Sequence, residues 1–117
     1  MESGGQRMQT YKERLREIYQ FRREQEVEPF LERNYDLASL LIEARKRIER
    51  LFGEDTPVVL EVFHDPEAED EPELFALIQT TLPVDEARRR REQLDREWWL
   101  ENSSRACCRL NIDVEYT

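Results

Sequence analysis

Apolar residues recur along this chain in two rhythms, and each rhythm predicts elements. From Met8 to Arg23 the apolar positions Met8, Tyr11, Leu15 and Ile18 are spaced by three and four, which places them on one helical face, with Tyr19 and Phe21 widening it. Glu28-Pro29 is expected to interrupt or restart that helix, since the residue before proline is pushed out of helical geometry. A second helix is expected after a cap at Asn34 or Asp36. It buries Leu37, Leu41, Ala44, Ile48 and Leu51, flanked by Leu40 and Phe52, with Gly53 in the left-handed position past its end.

The rhythm then shortens. Val58 to His64, bounded by Pro57 and Asp65-Pro66, reads as a strand, and Leu74 to Leu82 as its hairpin partner. Directing Val58, Leu60, Val62, Leu74, Ala76 and Ile78 inward leaves Val59, Phe63, Phe75 and Leu77 on the other face, beside Glu61 and Gln79. An apolar cluster on a nominally wet face needs a cover, either the Met8 to Phe21 helix with Tyr11, Leu15 and Ile18, or another chain. Pro83 fits the first turn of a third helix, whose inward stripe is Val84, Ala87, the stem of Arg91, Leu94 and Trp98. Adjacent helical residues diverge by about 100°, so Trp99 is left for a flank or a partner. From Cys108 to Tyr116 the alternation is strict, with Leu110, Ile112, Val114 and Tyr116 on one face and Arg109, Asn111, Asp113 and Glu115 on the other.

These elements predict an α+β fold: N-terminal helices followed by a β-β-α-β unit. The expected sheet is three-stranded and antiparallel in the order 2-1-3, with the helices packed on one face. Parallel pairing of the last strand with the second, through a right-handed crossover, is the alternative. Residues 1–33 form an N-terminal helical arm and residues 34–117 the α+β domain.

Composition adds limits. The 117 residues carry a net charge of -9 with a pI near 4.7, which disfavours nucleic acid and anionic membranes as partners of the whole molecule. The acid is concentrated from Glu54 to Glu73, a stretch without Lys or Arg. Met1 to Gln9 is polar overall with no apolar run after it, and no apolar run in the chain is long enough to span a bilayer. Cys107 and Cys108 are adjacent, which excludes a spaced disulfide framework and points to a reducing, cytoplasmic setting.

Val58-Val59-Leu60-Glu61-Val62, Asp65-Pro66-Glu67, Leu82-Pro83-Val84-Asp85-Glu86-Ala87, Leu94-Asp95, Trp98-Trp99-Leu100-Glu101-Asn102 and Leu110-Asn111-Ile112-Asp113-Val114-Glu115-Tyr116 together give a spaced pattern. From about Asn34 onward it resembles a set of small bacterial proteins, many of them cyanobacterial. The resemblance implies no activity, cofactor or catalytic residue, because none is established for that set.

No motif reaches a named chemistry. The Arg88-Arg89-Arg90-Arg91 run is expected to pair with acids four residues away, Asp85 with Arg89, Glu86 with Arg90, Arg88 with Glu92 and Arg91 with Asp95, leaving a solvated face. His64 and Cys108 fall by alternation on the core side of their strands, with no third group to orient the imidazole. The acidic loop Asp65 to Glu71 has Asp70 where a calcium loop needs glycine and Ala76 where it needs the bidentate glutamate. No cofactor or metal is expected. The reading that remains is a non-enzymatic cytoplasmic interaction or regulatory protein that self-associates or binds a protein partner. One concrete version is an acidic antitoxin or inhibitor-like partner of a basic protein. The interaction candidates are Val59, Phe63, Phe75, Leu77, Trp99, Tyr11, Leu15 and Ile18. The rival is a small enzyme or metal-binding module around His64, Cys108 and the acidic loop.

Overall fold

A computed structural model describes residues 3–64, 67 and 71–117, with residues 3–10 as backbone. The order is α1 (Ser3–Ile18), β1 (Gln20–Phe21), α2 (Glu24–Arg33), α3 (Leu37–Phe52), β2 (Val58–Phe63), β3 (Glu73–Thr80), α4 (Val84–Leu94) and β4 (Leu110–Tyr116). Between α4 and β4 the chain runs through a π-helical turn (Asp95–Trp99), a last α-helical turn (Leu100–Asn102) and a 3-10 turn (Ser103–Ala106).

The fold is α+β, with a four-stranded mixed sheet in the order β1-β2-β3-β4. The antiparallel 2-1-3 sheet is not what forms: β4 lies parallel to β3, with Leu74 opposite Leu110 and Ile78 opposite Val114. The expected place for the last strand, beside β2, is taken. Gln20 and Phe21 pair parallel with Val59 and Leu60 there, and the Arg22 amide donates to the Leu60 carbonyl at 2.9 Å. Chain leaving β3 therefore crosses over through α4 and adds β4 on the other edge, as parallel pairing requires.

Two elements begin or end elsewhere than expected. The break after α1 falls at residues 19–23, where Arg23 adopts φ 57°, and Pro29 lies inside α2 instead of interrupting a helix. Asp36 does occupy the N-cap position of α3, but its carboxylate makes no cap bond and accepts from Arg109 Nη2 at 2.7 Å and Nη1 at 3.0 Å. Gly53 closes α3 at φ 101°, a conformation side-chain-bearing residues rarely adopt.

The core lies between the helices and one sheet face. Leu15 and Tyr19 of the N-terminal segment, Val27, Phe30 and Leu31 of α2, and Leu37, Leu41, Ala44 and Ile48 of α3 share one buried cluster with Val58, Leu60, Leu74, Ala76, Ile78, Leu110 and Ile112. The alternation assigned the inward face of all three long strands correctly. Ala87 and Leu94 of α4 and Trp98 of the π-helical turn after it are buried as expected, whereas Val84 is 53% exposed. Tyr19 is buried and donates its hydroxyl to the Leu41 carbonyl at 2.7 Å. Burial pushes that phenol above the ordinary tyrosine range, so it stays neutral.

Candidate functional site

Strand register fixes what stands on the second face of the sheet. Val59 is opposite Leu77, Glu61 opposite Phe75 and Phe63 opposite Glu73, while Asn111, Asp113 and Glu115 of β4 line up with Phe75, Leu77 and Gln79. Directly opposed residues share a face, so the four apolar outward candidates Val59, Phe63, Phe75 and Leu77 are brought together. Helix α1 does not cover them. It packs on the helical side, with Leu15 buried and Tyr11 and Ile18 half-buried against the core. Trp99 is also on that side, half-buried, its ring centroid 5.7 Å from that of Trp98. The eight interaction candidates thus divide into four on the open sheet face and four in the helical layer.

What closes part of the open face is Arg22, a residue the hydrophobic pattern does not single out. It follows β1, and its guanidinium donates from Nη1 to Glu61 Oε1 at 2.8 Å and from Nη2 to Glu115 Oε1 at 2.8 Å. Glu61 belongs to β2 and Glu115 to β4, so one side chain reaches across the sheet. Gln79 also donates to Glu115, and Arg23 lies 3.9 Å from Glu61. Hydrogen bonds from Arg22 and then Gln79 hold the Glu115 carboxyl below the usual glutamate value. Bonds to Glu115 and then Glu61 raise the Arg22 guanidinium further above its ordinary value, so it is charged at any working pH. In the same region Val59 and Leu77 are only 4% and 8% exposed, although neither belongs to the main core cluster.

Toward the other end of the face the cover stops. Phe63 is 46% exposed and stacks on Phe75 with ring centroids 4.5 Å apart in a tilted arrangement. Glu73, which accepts from Asn111 Nδ2 at 3.0 Å, and Glu71 stand at the same end. The acidic loop follows His64 in sequence. Of that loop, Asp65, Pro66, Ala68, Glu69 and Asp70 lie outside the described residues, and Glu67 is exposed.

The residues of the rival reading are arranged differently from expectation. His64 and Cys108 are both exposed, not core-facing. The strand alternation does not reach them, because β2 ends at Phe63 and β4 starts at Leu110. Both lie just past strand ends at one end of the sheet, His64 after β2 and Cys108 before β4, with the start of β3 between those two strands. Cys107 and Cys108 both have positive φ, 50° and 65°. Among the described residues no group of three or more His, Cys, Asp or Glu is placed to hold a metal ion. The arginine run is paired, though not throughout as the spacing suggests. Arg90 meets Glu86 at 2.7 Å as expected, Arg89 meets Glu86 instead of Asp85, and Arg91 turns to Asp113 at 3.4 Å instead of Asp95. No described helix is long and apolar enough to cross a membrane.

Comparison of the chain with family models, curated proteins and solved structures finds no match.

Proposed function

We propose that this chain is a non-enzymatic interaction protein that docks a protein partner on the open face of its sheet. The observation that carries the proposal is the Phe63-Phe75 pair. It is a half-exposed aromatic pair on the sheet face opposite the main core cluster. Aromatic residues in such settings dominate the energetics of interfaces.

The frame around the anchor selects the kind of partner. Glu61, Glu73, Asp113 and Glu115 belong to the same face, against Arg22 lying over it, Arg23 at 3.9 Å from Glu61 and Arg91 at 3.4 Å from Asp113. A two-fold pairing of identical faces would bring those acids against themselves. A partner with lysines and arginines around an apolar side chain fits better, and the net charge of -9 steers it in. This supports the inhibitor-like version over self-association, in a cytoplasmic setting.

The test is a photocrosslinker introduced at Phe63, with the exposed Val84 of the helical layer as control. The expected product from Phe63 is an adduct with a second, basic protein, lost in Phe75→Ser and reduced at about 0.5 M salt, where charge attraction is screened. An adduct of two copies of this chain would replace the basic partner with self-association. Identical patterns from Phe63 and Val84, or no adduct at all, would remove the docking role from this face.

A further inference from the structure

The four acids of the open sheet face are not equally matched. Glu61 and Glu115 hold Arg22, and Asp113 lies 3.4 Å from Arg91. Glu73 has only a neutral donor among the described residues, the Asn111 side-chain amide, which gives Nδ2–H to Oε1 at 3.0 Å. Its other oxygen, Oε2, is left to accept elsewhere. The neighbouring chain brings no cation, because the stretch from Glu54 to Glu73 contains no Lys or Arg, and the exposed Glu71 adds a further acid.

An aromatic surface stands beside that carboxylate. Register places Phe63 directly opposite Glu73, and directly opposed residues share a face with Cβ atoms about 4.5–5.5 Å apart. Phe75 is two residues along β3 from Glu73, on the same face, and its ring meets that of Phe63 with centroids 4.5 Å apart. Phe63 is nevertheless 46% exposed. Rings and a carboxylate in one place suit a guanidinium, which is planar and weakly hydrated and can stack on a ring while its N–H groups reach an oxygen. A purely apolar side chain seated there would take water from Glu73 and give nothing back.

The molecule makes the same combination once within itself. Arg16 lies over the Phe21 ring, 5.7 Å from its centroid, and reaches Glu24 at 3.1 Å and also Glu28. At Phe63, Phe75 and Glu73 the chain supplies rings and acid, and none of its own arginines among the described residues is paired there. We propose that this patch seats an arginine side chain of the protein partner, its stem and guanidinium lying across the Phe63 and Phe75 rings and its N–H groups donating to the Glu73 carboxylate. The inference rests on the docking role of the open face and names the contact that selects the partner. Lysine is a poorer occupant, because its ammonium is compact and strongly hydrated and has no planar face to lay on a ring.

The experiment is an NMR titration of the uniformly labelled full chain, at constant ionic strength, with N-acetyl-arginine amide and with its lysine and citrulline counterparts. Citrulline keeps the shape of arginine and replaces the guanidinium by a neutral urea. Saturable shifts of the Phe63 and Phe75 ring resonances and of the Asn111 side-chain amide are expected with the arginine compound. The citrulline compound should bind at least about tenfold more weakly, lacking the charge-assisted contact, and the lysine compound about threefold more weakly. Glu73→Gln should weaken arginine about fivefold and Phe63→Leu, which stays apolar but loses the ring face, about threefold. If either variant fails to fold by its NMR fingerprint, the other variant and the citrulline comparison on the parent decide. The proposal is overturned if arginine gives no saturable shift at these resonances, if citrulline matches it, or if a folded Glu73→Gln binds it as tightly as the parent. A Phe63 photocrosslink to a basic protein that persists unchanged in Glu73→Gln would keep the docking role and remove the arginine seat. Arginine-specific shifts with no crosslinked protein at all would do the reverse.

Discussion

Arg22 joins three problems that would otherwise be separate. Glu61 is a carboxylate in the middle of a sheet with only 11% of its side chain accessible, Glu115 needs a counter-charge, and Val59 and Leu77 need shelter from water. One guanidinium placed directly after β1 reaches both acids, and the two apolar residues of the same region are nearly inaccessible. Arg22→Ala is expected to lower stability by about 1–2 kcal/mol in urea unfolding, a value reduced for screening on its accessible side. The pH dependence has a definite sign. Because Arg22 holds Glu115 below the ordinary glutamate value, the folded state takes up that proton later than the unfolded chain does. The pair's contribution is complete above the ordinary glutamate value of about 4.3 and is lost as the pH falls through the lower folded value. Parent and variant should therefore differ most at neutral pH and converge in acid. A constant difference down to pH 2.5 would contradict this account of Glu115.

At the scale of elements, the two-residue strand β1 decides the topology. Arg109 is a second tie of the same kind: its guanidinium joins the start of β4 to Asp36 and, at 2.9 Å, to Asn34 in the turn between α2 and α3. Arg109→Ala should cost no more than about 1 kcal/mol globally, because Asp36 is largely accessible. Hydrogen exchange should nevertheless accelerate at Asn111 while the β2–β3 pair keeps its protection. Uniform acceleration would show that the tie is not local. These ties explain what the sequence could and could not reveal. Long periodic stretches such as Leu37 to Phe52 and Leu110 to Tyr116 carry their own pattern, so α3, the inward strand faces and the outward cluster of Val59, Phe63, Phe75 and Leu77 were all legible. Gln20-Phe21 is too short to alternate, and nothing about it announces that it fills an edge of the sheet. Once that edge is taken, the partner of β4 changes. His64 and Cys108 were misplaced for a related reason, since alternation was extended past the ends of β2 and β4. Arg22 was invisible to apolar periodicity because it acts through its charge on residues far away in sequence.

For the molecule as a whole, an uncovered sheet face and an open edge at β4 invite indiscriminate association, and the charge pattern opposes it. Leu74 N–H bonds the Arg109 carbonyl and Thr117 N–H bonds the Thr80 carbonyl, so the odd-numbered residues of β4 point their backbone groups at β3. The even-numbered ones then face outward. Two of those groups are blocked: the Val114 amide donates to Asp113 Oδ1 at 2.8 Å, and Arg91 Nε approaches the Ile112 carbonyl at 3.5 Å. With both blocks in place a foreign strand cannot complete a ladder along the middle of β4. Removing them together, as Arg91→Ala with Asp113→Ala, is expected to produce concentration-dependent assembly in static light scattering under conditions where the parent does not assemble. Urea stability should change by no more than about 0.5–1 kcal/mol, since the side chains removed are partly accessible. Fluorescence of an amyloid dye rising with assembly would identify the new contacts as edge pairing. If scattering stays flat, the edge is guarded by the overall charge of -9 instead. In that case raising the salt, which screens the charge without touching Asp113, should trigger the association that the double substitution did not.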